Sequence, residues 1–287
     1  MILVTGASGQ LGQIVIEKLA ETLPTNQIAA LVRDPSKAEH LAAKGIEIRV
    51  GDYHSKESLK TAFQNVEKLL LISSNDFNDR IGQHKNAVDA AVEAGVKHIF
   101  YTGVSMNDIQ TSPLKPFLED HYLTEDYIKA SGLKYTFLEN GLYAEVLPMF
   151  LGENVTETGV FFPAGEGKVA FATRKDLGEA AAHILLGHGH ENQTYKLTGA
   201  VAYSFDEVAS TLSELSGKNV PYISPEPEVF VETLKQFGLP EPIIQMSLGF
   251  ALGMKNNDFD KPYDALEKFL GRKPTSVKDF LKEAYKL

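Results

Sequence analysis

Short apolar runs alternate with longer segments of helical periodicity through the first half of the chain. Runs rich in β-branched and aromatic residues, too short for helices, predict strands over 2–5, 28–32, 47–50, 68–72, 98–102 and 135–138. Between them, 11–23 carries apolar side chains at helical spacing, and 87–94 ends at Gly95, a residue suited to a left-handed C-cap. Strands that are apolar on both faces and alternate with helices predict an α/β fold, a Rossmann-type doubly wound parallel sheet. After Gly141 the alternation weakens. Phe161, Phe162, Pro163, Gly165 and Gly167 read as an extended, loop-rich stretch. Thr173 with Asp176, and Ser204 with Glu207, each fit a capping box opening an amphipathic helix, and 195–197 can return a last strand to the sheet. From 203 to 287 the pattern is mostly helical, punctuated by Pro221, Pro225, Pro227, Pro240 and Pro242. The expected organisation is a Rossmann domain over 1–150, then a mixed segment over 151–287. That segment returns to the sheet near 170–200 and builds a smaller, mostly helical substrate lobe.

The first strand runs straight into Gly6-Ala7-Ser8-Gly9-Gln10-Leu11-Gly12, with the spacing G-x-x-G-x-x-G and a helix behind it. Gly6 permits the tight turn, Gly9 lets backbone N–H groups approach a pyrophosphate, and Gly12 lets the helix sit close to the strand. Flexible loops also collect glycine, so the triplet alone is weak; strand before and helix after specify a dinucleotide site over residues 6–11. NAD enzymes place an acidic side chain at the end of the second strand, about 20 residues past the motif, to bond the ribose hydroxyls. Arg33 stands there. Its guanidinium can grip a 2′-phosphate through paired, charge-assisted bonds, with Lys37 as a second cation, so NADP(H) is the expected cofactor. The alternative is a surface pair of Arg33 with Asp34 or Glu39, which would leave the nucleotide open. Asp52, closing the third strand, is placed either to accept from the adenine amino group or to cap a helix. Ser73 and Ser74 end the fourth strand, beside the path of the nicotinamide ribose or as turn residues.

Composition narrows the chemistry. The 287 residues are 43% apolar and 23% charged, ordinary for a globular protein, and contain no cysteine, which removes disulfides, thiolate catalysis and cysteine-based metal sites. No metal site is expected, and redox chemistry has to come from a bound cofactor. A net charge of −10 repels nucleic acid, and no dense Lys/Arg tract offsets it. No apolar stretch approaches a membrane span, and Met1 leads directly into a strand pattern without a basic leader, so a cytoplasmic location is expected.

The glycine loop, Arg33, Gly51-Asp52-Tyr53, 68–73, Ala94-Gly95-Val96-Lys97-His98 and Asn140-Gly141-Leu142-Tyr143 together resemble the NmrA-like atypical short-chain dehydrogenase/reductases. The resemblance runs nearly end to end and is strongest to the bacterial NAD(P)H:quinone oxidoreductase type 2 and triphenylmethane reductase branch. Thr173-Arg174 carries it in the second half, and Leu270-Gly271-Arg272 echoes it weakly. It implies an NADPH-binding fold that reduces quinones or similar conjugated acceptors.

Short-chain dehydrogenases that reduce ordinary carbonyls use a Tyr-x-x-x-Lys pair, because the alkoxide formed by hydride addition needs a proton donor. Here Tyr122 is followed at the fourth position by Asp126, and Tyr127 by Ser131. A quinone tolerates that loss, since its reduced anion is delocalised and water can protonate it; placement of the reacting rings then carries catalysis. His121, one helical turn from Glu125, is the candidate proton donor or oxygen-positioning group, or else part of the cleft wall. Asn140, Gly141 and Tyr143 are the expected pocket residues, with Phe77, Tyr101 and Phe150 as aromatic neighbours or ordinary core. Arg174 either touches the cofactor or braces the second lobe. The expected partner is a quinone-like small molecule, with a homodimer left open. A non-catalytic NADP(H)-binding redox sensor is the competing reading, and a sugar-nucleotide epimerase ranks third because it needs the absent pair.

Overall fold

The computed structural model describes residues 1–76 and 78–287; Phe77 lies outside them. Seven strands form one sheet: β1 (Ile2–Val4), β2 (Ile28–Val32), β3 (Glu47–Val50), β4 (Lys68–Leu71), β5 (His98–Val104), β6 (Lys134–Asn140) and β7 (Gln193–Leu197). Their order is β3-β2-β1-β4-β5-β6-β7, with every pairing parallel. Chain direction across the sheet reverses between β1 and β4, and the crevice at that switch point, outside the carboxyl ends, is where such sheets bind ligands. β1, β2 and β5 are buried along their whole length, which is why their sequences lack the alternation of a one-sided sheet.

Helices cover both faces: α1 (Gln10–Ala20), α2 (Lys56–Ala62), α3 (Arg80–Ala94), α4 (Lys115–Ala130) and α5 (Arg174–Leu186). α1 and α5 pack on one face through Leu11, Val15, Leu177 and Ala181. Gly178 brings them together, since a β-carbon there would stand 2.5 Å from Ile14 Cγ2. Leu59, Val88, Ala91 and Ile128 of α2, α3 and α4 cover the other face. Two predicted boundaries shift for local reasons. α1 stops at Ala20 because Leu23 precedes Pro24, which disfavours helical backbone before it. β5 and β6 extend to Val104 and Asn140, because the polar residues beyond the apolar runs keep pairing, Gly103 opposite Glu139 and Val104 opposite Asn140.

Beyond Gly141 a second core assembles from Leu147, Phe162, Phe171, Phe205, Phe230 and Met254. It draws on helices α6 (Phe205–Ser216), α7 (Pro227–Gln236), α8 (Glu241–Lys255) and α10 (Val277–Tyr285), whereas α9 (Ala265–Leu270) returns to the first core through Leu266 and Leu270. Pro227 and Pro242 sit in the first turn of α7 and α8, where a missing N–H leaves nothing unpaired, so they open helices rather than interrupt them. The stretch after Gly159 is not plain loop: Val160–Phe161 pairs with Tyr222–Ile223, and Lys168–Val169 with Tyr203–Ser204. Ser204 and Glu207 form the complete capping box. The expected box at Thr173 is only half made. Thr173 accepts from Asp176 N–H, but the buried Asp176 carboxylate turns away to Arg272 Nη2 at 2.8 Å and Thr275 N–H at 2.6 Å, tying the C-terminal segment to α5. Among the described residues no helix is long and apolar enough to cross a membrane.

Candidate active site

The loop between β1 and α1 has the geometry its glycines require. Gly6 is left-handed at φ 58°, and a β-carbon on Gly12 would stand 2.4 Å from Gly6 O and 2.9 Å from Ala7 Cα. Gly9 is the N-cap of α1 and supplies no side-chain cap, so the first turn of the helix presents its N–H groups at the switch point. Ala7 and Leu11 are buried against the α1 face, while Gly6, Gly9 and Gln10 are exposed and Ser8 is half-buried. A dinucleotide pyrophosphate fits a backbone cradle of this kind.

Arg33 and Lys37 lie exposed just beyond β2. Asp34 does not take Arg33; its Oδ1 accepts from Ser36 N–H at 3.0 Å and from the Ser36 hydroxyl at 2.7 Å, capping the turn that carries Lys37. Among the described residues Arg33 pairs with no carboxylate. Asp52 is half-buried and accepts from His54 N–H at 3.0 Å; the helix cap next to it is Ser55, which corrects the capping alternative for Asp52. Tyr53, whose individual role has no local signal in the sequence, reaches across the switch point: its hydroxyl lies 2.5 Å from Thr5 Oγ1 and 2.8 Å from Ile72 O.

Ser73 and Ser74 are held by a buried network. Ser73 N–H donates to Thr102 Oγ1 at 2.9 Å, and the Ser74 hydroxyl bonds Gln83 Oε1 at 2.8 Å. Ser74 N–H donates to His84 Nε2 at 2.9 Å, which places the His84 proton on Nδ1, directed at Thr124 Oγ1. Burial, reinforced by the Arg80 guanidinium, holds His84 down to about 3, so it is neutral. The Tyr101 hydroxyl lies 2.8 Å from His121 Nδ1. When the hydroxyl donates in that contact, the His121 proton sits on Nε2. His121 is 8% exposed, and burial, then Arg80 and His84, keep its pKa well below the usual histidine range. His121 Nε2 has no hydrogen-bond partner among the described residues. Imidazolium chemistry is therefore closed to it, whereas donation of a neutral N–H is open.

Asn140, Gly141, Tyr143 and Arg174 come together because the segment after β6 pairs with the segment before α5, Tyr143 beside Ala172. Asn140 Nδ2 is 3.4 Å from Tyr143 Oη, and the Arg174 guanidinium stacks 4.2 Å from the Tyr143 ring centroid. Glu145, absent from the sequence-based candidates, anchors that arginine: Oε1 accepts from Arg174 N–H at 2.9 Å and Oε2 lies 3.5 Å from Nη1. Gly141 packs against Thr198 and Ala170 O, and a β-carbon there would stand 3.2 Å from each, tighter than an ordinary contact. Two expected aromatic neighbours are core residues. Tyr101 is fully buried, and the half-buried Phe150 meets the Phe162 and Phe250 rings at tilted angles against the second core. A cavity of about 190 Å³ opens at the opposite, amino edge, around Lys68, His98, Lys134 and His190; it has none of the glycine-loop features and is not the nucleotide site.

A doubly wound sheet with a glycine-cradled helix start and a cationic second-strand end defines a dinucleotide-binding Rossmann protein. Residues 1–281 match the NmrA-like family, and the chain belongs to it. It is 41% identical over 278 residues to quinone oxidoreductase 2 of Escherichia coli (strain K12), covering 96% of each chain. The structure of an NADPH-dependent quinone oxidoreductase from E. coli complexed with NADPH matches with a TM-score of 0.94 and 38% identity, over 99% of this chain and 100% of that one. A Citrobacter sp. triphenylmethane reductase complexed with NADP(H) matches with a TM-score of 0.92 and 41% identity, over 99% and 100% respectively.

Proposed function

We propose that this protein is an NADPH-dependent reductase that passes a hydride to a quinone or similar conjugated acceptor. The observation that carries the reading is the Arg33 guanidinium, paired with no carboxylate among the described residues, beside a glycine-cradled helix start in a chain 41% identical to a quinone oxidoreductase. The nucleotide supplies the hydride when bound. The backbone of residues 6–11 takes the pyrophosphate, Arg33 and Lys37 the 2′-phosphate, and Asp52 the adenine side. Ser73, Ser74, Asn140, Gly141 and Arg174 line the nicotinamide half, and 1–150 is the nucleotide domain. Tyr143 and His121 face the acceptor, His121 donating its Nε2 N–H to an acceptor oxygen. No side chain has to surrender a proton, because the delocalised product anion takes one from water. A protein working on a diffusible reduced nucleotide belongs in the cytoplasm.

The test is NADPH oxidation, followed by its near-ultraviolet absorbance, with a panel of quinones, against NADH and a blank without acceptor. Acceptor-dependent turnover preferring NADPH is expected. Tight NADPH binding with no turnover on any acceptor would replace the enzyme with a sensor. His121→Ala, which removes the N–H donor, is expected to lower kcat by roughly 2- to 12-fold, the worth of one neutral hydrogen bond, equally from pH 6 to 8 because the histidine stays neutral throughout. Unchanged turnover would reduce His121 to a wall residue.

A further inference from the structure

Glu125 lies on α4, one turn from His121, and Glu139 lies on β6 immediately before Asn140. Both are buried inside the fold, 6% and 9% exposed. Gly103 of β5 lets them share one space: a β-carbon there would stand 2.7 Å from Glu125 Oε1 and 3.7 Å from Glu139 Cγ. Among the described residues neither carboxylate accepts a hydrogen bond, and both lie near the carboxyl end of the sheet.

The surroundings do not neutralise two charges. Lys196 of β7 places Nζ 3.9 Å from Glu139 Oε2 and is drawn also toward the Tyr263 ring. Lys129, on the helix of Glu125, lies over the Phe137 ring, and Asp126 on the same helix adds negative charge. Tyr101 of β5 and the neutral His121 contribute no charge. Tyr122, whose hydroxyl is pushed up by burial and by Glu139, Glu125, Asp108 and Asp258, contributes none either. Two buried carboxyls this close cannot both ionise without a large penalty. Burial and then Glu139 push Glu125 up to about 8; burial raises Glu139 too, against the restraint of Lys196 and Lys129.

We propose that Glu125 and Glu139 keep one proton between them, and that the repulsion this avoids lets the Asn140 end of β6 stay beside α4, making Glu125 a positioning residue for the wall formed by Asn140 and Tyr143. The kinetic consequence rests on the reductase reading; the shared proton does not. When the proton leaves, repulsion acts between α4 and the residue next to Asn140, whose amide meets Tyr143 Oη. The folded protein holds this proton more tightly than the unfolded chain does. Folding stability from this group therefore falls as pH rises from the ordinary glutamate range to about 8, and the full penalty is in place above that.

The experiment has two arms, both on the full chain with Glu125→Gln and Glu139→Gln as variants. In the first, carboxyl carbons of ¹³C-labelled glutamate are titrated by NMR without nucleotide or acceptor. One resonance titrating near pH 8 is expected, lost in Glu125→Gln and shifted toward the ordinary range in Glu139→Gln; titration of every glutamate below pH 6 overturns the proposal. In the second, kcat/KM for the acceptor is followed with saturating NADPH. The parent is expected to fall about tenfold per pH unit above pH 8. Glu125→Gln, which imitates the protonated acid, is expected to keep its neutral-pH rate and lose that limb. An unchanged alkaline limb in Glu125→Gln overturns the positioning role. A chain with no turnover at any pH defeats the reductase reading instead, while the NMR arm still decides the proton.

Discussion

Gly12→Ala is expected to remove measurable NADPH binding and to lower the unfolding free energy by about 1–3 kcal/mol, the usual cost of overpacking a closed contact. The added methyl would meet Gly6 O at 2.4 Å and Ala7 Cα at 2.9 Å, and both are backbone atoms of the cradle that no side-chain rotation can move. Relief has to come from lifting α1 away from the loop, which carries the helix N–H groups off the pyrophosphate position. Calorimetric titration with NADPH, alongside thermal unfolding, checks both halves. Gly95→Ala is the control: it is left-handed at φ 77° with nothing within 4 Å of its missing β-carbon, so it loses about 1–2 kcal/mol of stability and no affinity. If Gly12→Ala kept the parent's affinity, the loop would not be the pyrophosphate site.

The second large effect is selective. Arg33→Ala is expected to weaken NADPH by about 1.5–3 kcal/mol, roughly 10- to 150-fold, and to leave NADH unchanged. The guanidinium lies exposed past β2, with Asp34 bonded to Ser36 and no carboxylate partner among the described residues, so its removal costs little stability. Dissociation constants for both nucleotides, measured on one preparation at one ionic strength, decide the matter. An equal loss for both would mean that Arg33 serves a part the two share, and the 2′-phosphate assignment would fall.

Much of this architecture was legible along the chain. Strand–helix alternation, buried both-face strands and the glycine spacing are local patterns, and they recover β1 to β6, the start of α1 and the cationic end of β2. The Ser204 box was readable because both partners lie within one helical turn. Its counterpart at Thr173 was misread because the decisive partner of Asp176 is Arg272, in a segment with no local claim on α5. The role of Tyr53 in joining Thr5 to Ile72 was hidden for the same reason. So was Glu145 beneath Arg174, which looks like any surface glutamate in an amphipathic segment.

By itself the sequence determined the fold class, the nucleotide loop and the sign of charge at the second strand, because these depend on periodicity and on residues a few positions apart. The tertiary structure alone decided protonation and pairing. Whether His121 is a neutral donor depends on burial and on Arg80 and His84 from another helix, and whether Glu125 keeps a proton depends on Glu139 from a different strand. Those are properties of distance and dielectric, and they come into being only when the chain has packed.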